Sequence, residues 1–259
     1  MAPIPTRLLT DRAMDSIIER LEDCTGRFEP AAEQILQSFE LYRSKASTQA
    51  PVAQLVEGIT QFLAIAAEFD ARSDTHGPRA ERQDAGELGD YALNLLMELT
   101  GWAVQLSLEE PRRALESLTL SVTDWIMRHH GKIQTLEAVV DALANTANRL
   151  QDPAALERLT EFINRLVANV DETIKQDLES SNPGRPWRIL LLNRGIVATR
   201  SHNTQLMEQA YDELAQYLPD ETGRFFAQAM QQMEALNYPA HVRELVGRYY
   251  HRFTRQSMH

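Results

Sequence analysis

The sequence is poor in residues that interrupt helices. Its 259 residues include only 11 glycines and 11 prolines. That is too few turn formers for an all-β sandwich or barrel, so the chain reads as helical. Cysteine is nearly absent. Cys24 stands alone, which excludes an intrachain disulfide and a cysteine-built metal cage. Its expected place is that of a small, reduced, half-buried residue on a helix, which suits a reducing compartment. Long apolar runs are missing too. No stretch approaches about 18 uninterrupted apolar residues, so no membrane span is expected. The opening "MAPIPTRLLTDRAMDS" has no apolar core of a secretory signal, so the expected location is the cytoplasm.

Signatures of chemistry are also missing. There is no Gly-rich phosphate loop, no Gly-x-Ser-x-Gly and no Glu-x-x-His pair. No residue is assigned a catalytic or metal-binding role, no cofactor is called for, and the reading leans away from an enzyme.

What is present is acid, unevenly spread. The net charge is −11. Residues 1–182 carry 17 Lys+Arg against 30 Asp+Glu, whereas residues 183–259 carry 9 against 7. All nine basic residues of the second part are arginine. An acidic body repels phosphate, which argues against nucleic acid as a partner. Arginine favours planar, bidentate contacts, so it suits interfaces and buried ion pairs. The charge change divides the chain into an acidic region, 1–182, and an arginine-containing region, 183–259. The second is expected to pack on the first as one continuous body.

The apolar spacing repeats a helical period along the chain. Thr10 or Asp11 can cap a first helix carrying Ile17, Ile18 and Leu21. Pro30 suits the first turn of a second, and Pro51 opens a third with Leu55, Ile59, Phe62, Leu63 and Ala66 on one stripe. "RSDTHGPRAERQDAG", residues 72–86, is the longest polar stretch and reads as a mobile loop with His76 solvated. Asp84 with Glu87 has the spacing of a capping box. A helix then carries Tyr91, Leu95, Leu99 and Trp102 to about Ser107. Glu109-Glu110-Pro111 starts another, and Gly131, after His129 and His130, is its expected cap. Pro153 opens a long helix to about Glu179. Pro186–Trp187, Thr204, Pro219 and Pro239 start four more. About ten to twelve helices in antiparallel hairpins follow from the short connections.

Pro153, Pro186 and Pro219 recur every 33 residues, close to the tetratricopeptide period. On the pair from Trp187 to Pro219, Gly195, Tyr211 and Pro219 fall on that pattern. Leu191, Arg194, Ala198 and Met207 depart from it. One unit therefore resembles a tetratricopeptide hairpin. The resemblance implies a helical array in the C-terminal part, with a helical bundle or a continuation of the array before it. The fold class is all-α.

Three sets of residues are candidates. Arg188, Arg194, Met207 and Tyr211 would line a partner groove between C-terminal hairpins, with Met230, Met233, Phe225 and Phe226 nearby. Arg185, Trp187 and Arg188 would meet an anion at a helix N-terminus, where unpaired N–H groups and the dipole favour negative charge. His241, Glu244, Arg248 and His251 share a helix face and read as a solvated stripe with a Glu244/Arg248 pair. The leading expectation is a non-catalytic, cytoplasmic adaptor module binding a protein or peptide, with no nucleic acid or membrane partner. The competing expectations are a small-molecule or anion-binding domain and a structural homodimer.

Overall fold

A computed structural model describes residues 18–43, 52–71, 78–178 and 181–256. They form eleven helices. These are α1 (Leu21–Arg43), α2 (Val52–Ala71), α3 (Pro78–Gln105), α4 (Glu109–Arg128), α5 (Glu137–Arg149) and α6 (Pro153–Asn169), followed by α7 (Glu172–Lys175), α8 (Pro186–Ser201), α9 (Thr204–Tyr217), α10 (Pro219–Ala235) and α11 (Ala240–Gln256). Among the described residues there is no strand, only one isolated parallel bridge between Ile133 and Val170. The protein is all-α.

The chain divides into two compact units. One comprises Met1–Asn145 with Asn169–Lys175, and the other Thr146–Ala168 with Gln176–His259. The charge change at Asn182 therefore falls inside the second unit.

In the first unit, α1 and α3 each pack on both α2 and α4, so four helices close into a ring. α2 has the length and apolar content of a membrane span. Here Val52, Leu55, Ile59, Phe62, Leu63 and Ala66 are buried in the unit, while Glu57, Gln61 and Glu68 are exposed. Trp125 of α4 is fully buried, edge-on to Phe62 at 5.7 Å and Phe69 at 5.5 Å. Close approach of α3 and α4 depends on glycine. A Cβ on Gly89 would overlap the Ile126 side chain, and one on Gly131 would come 2.9 Å from the Gly86 backbone nitrogen. Asp90 accepts backbone N–H groups from Gln134 and Thr135 at 3.0 and 2.8 Å, which holds the turn leading into α5. Burial pushes its carboxyl above the ordinary range, and the two bonds oppose that.

In the second unit, α9 packs on α8, α10 and α11, and α10 packs on α11. The core holds Met207, Tyr211, Phe226, Met233, Val242 and Val246. Gly195 of α8 sits under the Phe225 ring, where a Cβ would be 2.8 Å from Cζ.

Several boundaries differ from those the sequence suggests, each for a local reason. Pro30 lies inside α1, not at its start. It is exposed, and what it cannot supply is the N–H for the equally exposed Gly26 carbonyl. Residues 78–86, read as loop, are the first turns of α3, so Asp84 and Glu87 lie within a helix and form no cap at its start. The long helix from Pro153 stops at Asn169. Val170 leaves it to bridge to Ile133, and Asp171 starts α7 by accepting the Thr173 N–H at 2.9 Å. At the end of α4 the left-handed residue is His130, with φ 58°, one position before Gly131. His130 N–H donates to Met127 O and Gly131 N–H to Ile126 O, the crossed pair of bonds that closes a helix end. Of the first expected helix, Thr10, Asp11 and Ile17 lie outside the described residues, as do Pro51 and His76, while Ile18 is not helical and Leu21 opens α1.

Candidate functional site

α8 begins with Pro186 at its first position and Arg185 as its cap residue. Arg185 Nε and Nη2 donate to the two Asp177 oxygens at 2.5 and 2.8 Å, and Nη1 donates to Asn182 O at 2.9 Å. Arg188 pairs with both Glu221 oxygens and donates to Pro183 O at 2.8 Å. Trp187, 2 % exposed, stands edge-on to Tyr217 at 5.3 Å. Among the described residues its indole N–H has no partner. The three residues weighed for an anion are thus together at one helix start. Both guanidiniums are already matched there by carboxylates of the chain, and the indole faces the interior.

Arg188, Arg194 and Arg200 leave α8 in three directions, and each finds a partner within the unit. Arg194, 1 % exposed, donates to Asn164 Oδ1 at 2.7 Å and to Glu213 Oε2 at 2.6 Å. Arg200 donates to the Ala147 and Leu150 carbonyls at 2.9 and 2.6 Å. Met207 and Tyr211 are fully buried, and the Tyr211 hydroxyl lies 2.6 Å from Thr199 Oγ1. Arg188, Arg194, Met207 and Tyr211 therefore belong to a packed joint. Their residue types were legible in sequence. The side-chain partners of the two arginines, 19 to 33 residues away, were not.

The Glu221 carboxylate is held below the ordinary range by the Arg188 guanidinium. A carboxyl lowered on folding stabilises the fold above its unfolded value, about pH 4.3, and gives that up as pH falls through the folded value. Glu221→Gln should therefore flatten the acid limb of a stability–pH profile below about pH 5. Urea midpoints measured across that range check it, and an unchanged limb in the variant would refute the linkage.

A partly buried apolar face remains in the second unit. Phe225, Ala229, Met230, Tyr250 and Phe253 are partly buried against the α9–α11 core. Phe253 stacks on Phe226 with centroids 5.9 Å apart, and Arg252 lies over its ring. Of the methionines and aromatics expected beside the groove, Met233 and Phe226 are core, while Phe225 and Met230 lie on this face. Along α11, His241, Glu244, Arg248 and His251 are exposed. Arg248 pairs with Glu208 of α9 at 2.8 Å, not with Glu244 on its own helix.

A second constellation, in the first unit, has no sequence motif. α2 and α4 end beside each other, so Asp70 meets His129. Asp70 Oδ1 lies 2.6 Å from His129 Nε2 and accepts the Trp125 indole N–H at 2.9 Å. The pair lines a cleft of about 350 Å³ together with Arg20, Leu21, Glu22 and Arg128. The expectation that His129 favours a helix C-terminus carried no hint of Asp70, which lies 59 residues away. Cys24 is buried with its Sγ 3.1 Å from Ser121 Oγ, and burial pushes the thiol up. Among the described residues no three His, Cys, Asp or Glu side chains could jointly hold a metal ion.

Compared with protein-family models, curated proteins and solved structures, the chain matches none.

Proposed function

We propose that this chain is a non-catalytic, cytoplasmic protein-interaction module that takes a helix or peptide against its C-terminal hairpins. The observation that supports the reading is the half-buried set Phe225, Ala229, Met230, Tyr250 and Phe253 over a fully buried core. Methionine and aromatic side chains adapt to the ridges of an incoming amphipathic helix, and they are rich contact residues at interfaces. The groove is therefore assigned to the α10–α11 face. The residues at the α8 start serve the packed joint.

A photo-crosslinking residue at Met230 or Phe253 tests this in cells of the source organism. One defined protein should be captured from both positions, and Met230→Glu should abolish capture from Phe253. The exposed Val104 of α3 is the control position. Equal capture from Val104, or no adduct above it, would refute the reading. A crosslinked dimer in the purified protein alone would replace the adaptor with a homodimer.

A further inference from the structure

We propose that the cleft between the start of α1 and the ends of α2 and α4 is a binding site for a small zwitterion, a free α-amino acid. It lies within the first unit and is independent of the hairpin face. Its lining carries two guanidiniums, Arg20 and Arg128, and two carboxylates, Glu22 and Asp70.

Each keeps hydrogen-bonding capacity to spare. Arg20 comes no closer than 3.7 Å to Glu22, beyond hydrogen-bond reach. Arg128 uses Nε on Asp124 at 3.1 Å, and its two terminal nitrogens have no partner among the described residues. Asp70 receives both the Trp125 and the His129 bonds on Oδ1, so Oδ2 accepts nothing among the described residues. The cleft thus offers open donors and open acceptors in one lining.

The balance of charge selects the ligand class. With two cations and two anions in the lining, a lone anion gains an attraction to arginine and meets repulsion from a carboxylate. A lone cation fares no better. A molecule carrying both signs matches both halves at once: its carboxylate takes the guanidinium forks, and its ammonium donates to Asp70 Oδ2 and Glu22. The volume of about 350 Å³ sits at the small end of ligand pockets. The bonds from Trp125 and His129 fix the Asp70 carboxylate before any ligand arrives, which lowers the ordering cost of binding.

The test is calorimetric titration of the full chain with the standard α-amino acids, with acetate and methylammonium as separate half-ligands. At least one amino acid should bind, and neither half-ligand should bind at the same concentration. Arg128→Gln and Glu22→Gln should each weaken binding about tenfold, the loss of one charge-assisted hydrogen bond. Both side chains are substantially exposed, 42 % and 70 %, so the fold should survive, which thermal unfolding checks. Acetate or methylammonium binding as tightly as the amino acid would overturn the proposal in favour of a plain ion site. Undiminished binding in both variants, or no binding of any amino acid at about 10 mM, would overturn it outright.

Discussion

Glu213→Ala is expected to destabilise the second unit by about 3–5 kcal/mol, more than removal of its partner Arg194. The asymmetry follows from burial. Glu213 is 30 % exposed and can turn to water if Arg194 is lost, whereas Arg194 is 1 % exposed and cannot. Without Glu213, a guanidinium stays sealed in the unit with Asn164 Oδ1 as its one remaining side-chain acceptor among the described residues. Arg194→Met removes the charge together with its desolvation cost and should cost less. The double variant Arg194→Met/Glu213→Leu should recover most of the loss, because a buried pair rarely outperforms well-packed apolar residues. Urea unfolding of the four proteins ranks the losses. If Glu213→Ala were milder than Arg194→Met, the buried cation would not be the dominant cost.

Trp125→Ala is the counterpart in the first unit, at about 3–5 kcal/mol. Three things go at once: a large buried volume, the edge-on contacts with Phe62 and Phe69, and the indole bond that holds Asp70. Trp125→Phe separates them. It keeps most of the packing and removes the N–H donor, so it should cost about 1 kcal/mol more than the packing change alone. It should also loosen Asp70, which then keeps His129 as its partner. Denaturant midpoints rank the two variants. An equal loss in both would mean that packing contributes little at this position.

These two sites show where sequence reasoning stops. Periodicity and prolines locate helices well. The stripe Leu55, Ile59, Phe62, Leu63 and Ala66 is buried as its spacing implies, and helices start at Pro153, Pro186 and Pro219. Those signals are local, generated within one or two turns. α5 opens without proline or glycine, and the acid Glu137 in its first turn is a weak signal. Val170 carries the pattern of the α6 stripe, yet its pairing with Ile133 ends the helix, a contact 37 residues away in sequence. The Asp70–His129 and Arg194–Glu213 pairs are non-local in the same way. Arginines 120° apart on α8 do imply internal partners, since no one side of a helix can expose all three. The identities of the partners depend on how helices meet.

Glycine gives the sharpest case. Five described residues take left-handed backbone, Ser107, His130, Asp177, His202 and Asn237, and no described glycine does. A side chain in that conformation costs roughly 1 kcal/mol or more relative to glycine. Glycines 89, 131 and 195 instead stand where a Cβ would come within 3.0 Å of a neighbouring atom. At these positions the usual map of tolerance is inverted. The turns could accept glycine and become firmer, while the glycines packed at 89, 131 and 195 can accept almost nothing; Gly26, Gly101 and Gly247 stand in open space. A lineage under thermal pressure would have its easiest route to greater stability through the histidines and serine that close its helices, at the price of the chemistry those side chains could otherwise carry.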